Sequence, residues 1–105
     1  MLEPIIISLG SNIGDRIGFI YKALALIEDH PITIRELSNV YETPSWGFES
    51  THFYNACAIL KTSLKPNALL KILLDVEDKL GRKRNSERGY QDRIIDLDLL
   101  FYKNE

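Results

Sequence analysis

The ten residues Arg93-Ile94-Ile95-Asp96-Leu97-Asp98-Leu99-Leu100-Phe101-Tyr102 constrain the fold of this chain more than any other stretch. They form an apolar, strand-forming run with two carboxylates inside it. Side chains alternate along a strand, so Asp96 and Asp98 point to one face, about 7 Å apart. Ile95, Leu97, Leu99 and Phe101 are then expected on the opposite face, where they can dock on helices. A sheet built around such a strand has one covered face and one open face. Two like charges side by side on a core strand are costly unless something positive sits over them. A divalent metal ion, or a pair of them, is the obvious candidate.

The remaining segments supply the layers. Residues 4–10 read as a first strand bounded by Pro4 and Gly10, followed by a turn in which Asp15 is placed to cap a helix. Residues 16–29 carry Ile17, Ile20, Ala23, Leu24 and Ile27 at close to helical period, and Pro31 ends that segment. Residues 33–41 resemble a second strand, Glu42 to His52 a long loop, and Phe53 to Lys61 a third strand. Pro66 opens a second helix with Leu69, Leu73, Val76 and Leu80 along one face, and Gly81 is placed to end it as a left-handed cap.

The order is β-α-β-β-α-β, without repeats or low-complexity tracts. It predicts an α+β fold, a ferredoxin-like sandwich with an antiparallel sheet and two helices on one face. Residues 1–105 read as a single domain. The helix-free face is expected to carry Ser8, Phe53, Asn55, Asp96 and Asp98.

Composition bounds the function classes. A chain of 105 residues, 45% hydrophobic and 27% charged, is that of a globular protein and not of a disordered one. No apolar run reaches the length of a membrane span, and the N-terminus lacks the pattern of a signal peptide. The lone Cys57 cannot form an internal disulfide, which is compatible with the cytoplasm. His30 and His52 look incidental.

Charge is uneven. Residues 79–93 hold six basic side chains (Lys79, Arg82, Lys83, Arg84, Arg88, Arg93) against Glu87 and Asp92, in a chain whose net charge is −2. Taken alone, such a run reads as a solvated loop. Leading straight into paired carboxylates, it suggests phosphate plus metal: arginines hold phosphate oxygens while the metal neutralises the aspartates.

Several motifs occur together in order. They are Leu9-Gly10-Ser11-Asn12, Tyr41-Glu42-Thr43-Pro44-Ser45-Trp46-Gly47, Phe53-Tyr54-Asn55-Ala56, Glu77, Leu80-Gly81-Arg82-Lys83-Arg84 and Arg93-Ile94-Ile95-Asp96-Leu97-Asp98. The pattern closely resembles the 6-hydroxymethyl-7,8-dihydropterin pyrophosphokinases of folate biosynthesis, over nearly the whole chain. The pairing of Gly-Arg-x-Arg with Arg-x-Ile-Asp-Leu-Asp is the specific part.

The resemblance implies pyrophosphoryl transfer from ATP to the hydroxymethyl group of a dihydropterin, with release of AMP. It assigns two Mg²⁺ ions to Asp96 and Asp98. It puts Arg82, Arg84, Arg88 and Arg93 on the phosphates, with Arg82 and Arg93 nearest the transferred group, and Glu77 and Leu99 on the nucleotide side. For the pterin it implies Thr43 and Pro44 as a wall, Phe53 for stacking, Asn55 for the amide edge and Tyr90 as a cover. Trp46 would be a lid residue. The Gly10-Ser11-Asn12 turn lacks phosphate-loop spacing and is expected to shape the pocket rim.

Two departures accompany the resemblance. The segment Glu87-Arg88-Gly89-Tyr90-Gln91-Asp92-Arg93 is one residue longer than the common family form and has Tyr90 where that form has tryptophan. Family members also continue past the last strand into a segment with a His-Pro motif and further arginines, so the chain reads as C-terminally shortened. The alternatives are an impaired fragment that binds Mg-nucleotide and pterin, and an RNA-binding ferredoxin-like module. The second wants an aromatic RNP pattern that Phe53 and Tyr54 do not form. Small-molecule substrates, no nucleic acid, no membrane, and a monomer or weak self-association are the expected partners.

Overall fold

A computed structural model describes residues 4–12, 14–43, 52–81 and 95–103. Its elements in chain order are β1 (Ile5–Ser11), α1 (Arg16–Glu28), β2 (Thr33–Leu37), β3 (Tyr41–Thr43), β4 (Phe53–Lys61), α2 (Pro66–Lys79) and β5 (Asp96–Tyr102). The fold is α+β: two helices and an open, antiparallel, five-stranded sheet in the order β2-β4-β1-β5, with β3 also paired to β4.

Local chemistry explains the element ends. The Asp15 side chain accepts the Gly18 N–H at 3.0 Å and so caps α1. Pro66 starts α2, where its missing N–H costs nothing, and Gly81 ends it at a positive φ of 93°. Among the described residues no helix is long and apolar enough to cross a membrane.

The core lies between the helices and one face of the sheet. Ile5, Ile7 and Leu9 of β1, Ala58 and Leu60 of β4, and Leu97 of β5 pack with Ile20, Ala23, Leu24 and Ile27 of α1 and Leu69, Leu73 and Val76 of α2 in one cluster. Each fully buried Ile or Leu contributes about 1.5–3 kcal/mol by leaving water. Ile17, expected in this stripe, sits in the first turn of α1 and is exposed.

Several expectations need correction. The strand expected over 33–41 is two strands, and part of the expected loop from Glu42 belongs to the second of them. The Ser38 N–H donates to the Cys57 carbonyl at 2.8 Å while the Ser38 hydroxyl accepts the Cys57 N–H at 2.8 Å. A side chain thus stands in for one rung of the ladder, the chain bends, and β3 resumes pairing with Phe53–Asn55.

Phe101 is not on the helix face. β5 carries a bulge against β1, because Ile7 pairs with Leu99 but Ile6 pairs with Phe101, leaving Leu100 as the extra residue. The bulge reverses the alternation beyond it. Phe101 is 58% exposed, and Tyr102 turns inward to be buried, its hydroxyl donating to the Leu64 carbonyl.

The aspartate strand is also an edge strand, next to the central β1, and α2 lies along it. Gly10 and Ser11 continue β1 where a turn is expected, and Ser11 and Asn12 are buried.

Candidate active site

The open face is assembled by register. In antiparallel pairs, directly opposed residues share a face. Gly10 of β1 opposes Asn55 of β4 on one side and Asp96 of β5 on the other. One rung further along β1, Ser8 opposes Cys57 and Asp98 in the same way. Two parallel rows therefore cross three strands: Asn55–Gly10–Asp96 and Cys57–Ser8–Asp98. Asp96 is half-buried and Asp98 exposed, both on the helix-free side.

With strands about 4.8 Å apart, Asn55 and Asp96 stand about 10 Å from one another across the row. Between them lies Gly10, which has no side chain. Its space is in use: a Cβ there would lie 2.8 Å from the Asn55 Oδ1, too close to be tolerated without a shift. The absence of a side chain at Gly10 lets the Asn55 amide lie over the β1 backbone, and an added Cβ would push that side-chain end aside. Sequence reasoning found Asn55 and Asp96 but missed this glycine's task. A strand-interior Gly opposite two polar residues is the signal that could have exposed it.

Asn55 is oriented from its other end by Thr43. The Asn55 Nδ2 donates to the Thr43 Oγ1 at 2.7 Å across the β3–β4 pair. Among the described residues, its carbonyl and second amide N–H have no further hydrogen-bond partner, one acceptor and one donor. Phe53, opposite Thr43, is half-buried on the same face as Asn55.

The start of β4 is tied to α1. Arg16 donates to the His52 carbonyl at 2.8 Å, and its guanidinium lies 3.9 Å from the centre of the Tyr54 ring. His52 Nδ1 is 3.4 Å from the Glu42 carboxylate. No sequence pattern signalled this cluster, which anchors the residues on either side of Phe53.

Glu77, near the end of α2, is 2% exposed and its Oε2 accepts the Leu97 N–H at 2.7 Å. It thus touches the backbone between the two aspartates. Leu99 is half-buried in β5 next to Asp98, on the core side. Pro44, Arg82, Arg84, Arg88, Tyr90 and Arg93 lie outside the described residues.

Two carboxylates on an open face are a hard-oxygen donor set. Among the described residues no group of three or more His, Cys, Asp or Glu could hold a metal by itself. Magnesium bound through one or two carboxylates, with substrate phosphates completing its shell, needs no such group. The residues present fit that ion.

The chain is similar to known proteins. Residues 6–104 match the family model described as 7,8-dihydro-6-hydroxymethylpterin-pyrophosphokinase (HPPK). The chain is 44% identical over 98 residues to the 2-amino-4-hydroxy-6-hydroxymethyldihydropteridine pyrophosphokinase of Porphyromonas gingivalis, covering 91% of this chain and 67% of that one. The enzyme of the same name from Aquifex aeolicus is 43% identical over 105 residues, covering 99% and 64%. That from Bacillus subtilis is 41% identical over 101 residues, covering 94% and 59%. The chain thus spans 59–67% of the length of these curated relatives. A crystal structure of an unknown protein from Galdieria sulphuraria shares the fold at 14% identity and a TM-score of 0.54, over 94% of this chain and 50% of that one. The chain belongs to the 7,8-dihydro-6-hydroxymethylpterin-pyrophosphokinase family.

Proposed function

We propose that this chain transfers pyrophosphate from ATP to the hydroxymethyl group of 6-hydroxymethyl-7,8-dihydropterin, yielding AMP, in folate biosynthesis. The observation that carries the reading is the row Asn55–Gly10–Asp96. It sets a heterocycle-reading amide and a metal-binding carboxylate on one floor, with only the side-chain-free Gly10 position between them. We further read residues 1–105 as one ferredoxin-like domain, which the antiparallel strand order β2-β4-β1-β5 supports.

In this mechanism the pterin hydroxyl oxygen forms a bond to the β-phosphorus, the bond from that phosphorus to the α-phosphate oxygen breaks, and the hydroxyl proton is lost. Asn55 reads the pterin's mixed amide edge with its carbonyl and second N–H, and Thr43 holds that amide in place. Phe53 stacks on the ring, with Pro44 and Tyr90 completing the pocket. Asp96 and Asp98 would hold two Mg²⁺ ions, which when bound neutralise triphosphate charge and acidify the attacking hydroxyl. Arg82, Arg84, Arg88 and Arg93 grip phosphate oxygens with planar forks. Positioning and charge neutralisation are the main tasks in phosphoryl-type transfer. The exposed, free Cys57 suits a cytoplasmic location.

The test is AMP formation from ATP that depends on both Mg²⁺ and added hydroxymethyl-dihydropterin. Binding of both substrates with no pterin-dependent AMP would favour the impaired binding fragment instead. Gly10 offers a sharper check. Gly10→Ala is expected to displace the Asn55 amide and weaken pterin binding about tenfold, the equivalent of one hydrogen bond. Quenching of pterin fluorescence reads this directly, and an unchanged affinity would remove Gly10 from the pocket floor.

A further inference from the structure

We infer that Glu77 is a positioning residue for the aspartate platform, acting through the Leu97 backbone. This deepens the proposed function and rests on it for the role of Asp96 and Asp98. Three observations converge. First, among the described residues β5 is an edge strand, so an N–H on its outer side has no strand partner there. Second, the Leu97 N–H is not left to water: Glu77 Oε2 accepts it at 2.7 Å, the short end of the range for a carboxylate acceptor. Third, Leu97 is the residue between Asp96 and Asp98, so its backbone conformation sets the angle and spacing of both side chains.

Burial makes the tether costly to dispense with. A carboxylate that is 2% exposed is tolerated only where partners compensate its desolvation, and Glu77 has further interactions besides the Leu97 N–H. A solvated face of α2 would carry a glutamate without any such cost. Here the side chain shares the buried stripe with Leu69, Leu73 and Val76, yet turns its head to the strand edge.

The bond also joins two ends of one segment. Residues 82–94, with Arg82, Arg84, Arg88 and Arg93, leave from the end of α2 and return at the start of β5. Glu77 and Leu97, twenty positions apart, pin those ends together. The Glu77–Leu97 hydrogen bond thereby holds the backbone between the two carboxylates to the end of α2.

Glu77→Leu removes the acceptor at similar volume, and Glu77→Gln keeps an acceptor oxygen without the charge. In Glu77→Leu, the Mg²⁺ concentration for half-maximal binding of a non-hydrolysable ATP analogue, read by calorimetry, is expected to rise about 10–100-fold, as when a metal ligand loses its supporting hydrogen bond. Amide exchange at Leu97, followed by NMR, is expected to accelerate in parallel. Metal-free pterin affinity is expected to stay within about twofold of wild type, and Glu77→Gln to lie between wild type and Leu on both readouts.

Normal Leu97 exchange in both variants would overturn the tether. Weakened nucleotide binding in Glu77→Gln with normal Leu97 exchange would overturn it too, and make Glu77 a direct nucleotide ligand. If Glu77→Leu does not fold, Glu77→Gln decides between these outcomes. A wild-type chain that binds no Mg-nucleotide would overturn the platform reading itself, and the Leu97 exchange rates separate that failure from failure of the tether.

Discussion

Asp96→Asn is expected to reduce pterin-dependent AMP formation by about 10³-fold, because it removes a negative ligand while preserving side-chain shape. Metal-assisted neutralisation of the transferred phosphate contributes several kcal/mol, and each 1.36 kcal/mol is a factor of ten. Asp98→Asn is expected to act in the same direction. Neither change is expected to disturb folding, since both side chains lie on the helix-free face and neither belongs to the hydrophobic core. Their thermal midpoints should stay within a few degrees of wild type. The measurement is calorimetry with a non-hydrolysable ATP analogue, with and without Mg²⁺. The wild type should show a metal-dependent component that both variants lack. Identical nucleotide binding in all three proteins would dispose of the metal assignment.

Asn55→Leu comes second in expected size and separates the two substrates. Leucine fills a similar volume but offers neither donor nor acceptor. It also deprives the Thr43 hydroxyl of the 2.7 Å hydrogen bond it now accepts. Losing two pterin hydrogen bonds at about 1.5 kcal/mol each predicts a fall of roughly 10² in kcat/KM for the pterin. Nucleotide affinity should be unchanged, because Asn55 stands at the opposite end of its row from Asp96. A variant that loses ATP and pterin affinity equally would show that Asn55 shapes the floor generally and does not read the heterocycle. The two variants are complementary: one ablates the metal-dependent component, the other spares it.

Much of this was legible in the chain. Period-two alternation put Asp96 and Asp98 on one face, because strand geometry is local and needs no knowledge of neighbours. The helical stripes of α1 and α2 were equally readable, apart from Ile17 in the first turn. The family motifs named Asn55, Thr43 and Glu77 as site residues.

The misreadings in the sheet share a cause, which is cross-strand register. Phe101 was expected inward because alternation was extended through Leu100, and nothing local marks the bulge that Leu100 occupies against β1. The break between β2 and β3 depends on Ser38 replacing a ladder rung on Cys57, nineteen positions away. Arg16 over Tyr54, and its bond to the His52 carbonyl, join residues more than thirty positions apart.

The sequence by itself therefore determined most of the residues that face the core and the open side, Ile17 and Phe101 excepted, and which family the chain resembles. Hydrophobic period and short motifs encode these over a few residues. Only the tertiary structure decided what stands beside what. Gly10 separates Asn55 from Asp96 because β1 lies between β4 and β5, and Glu77 reaches Leu97 because α2 runs along the exposed edge of β5. Those relations arise from strand order and register, which are settled by packing the whole core at once and not by any one segment.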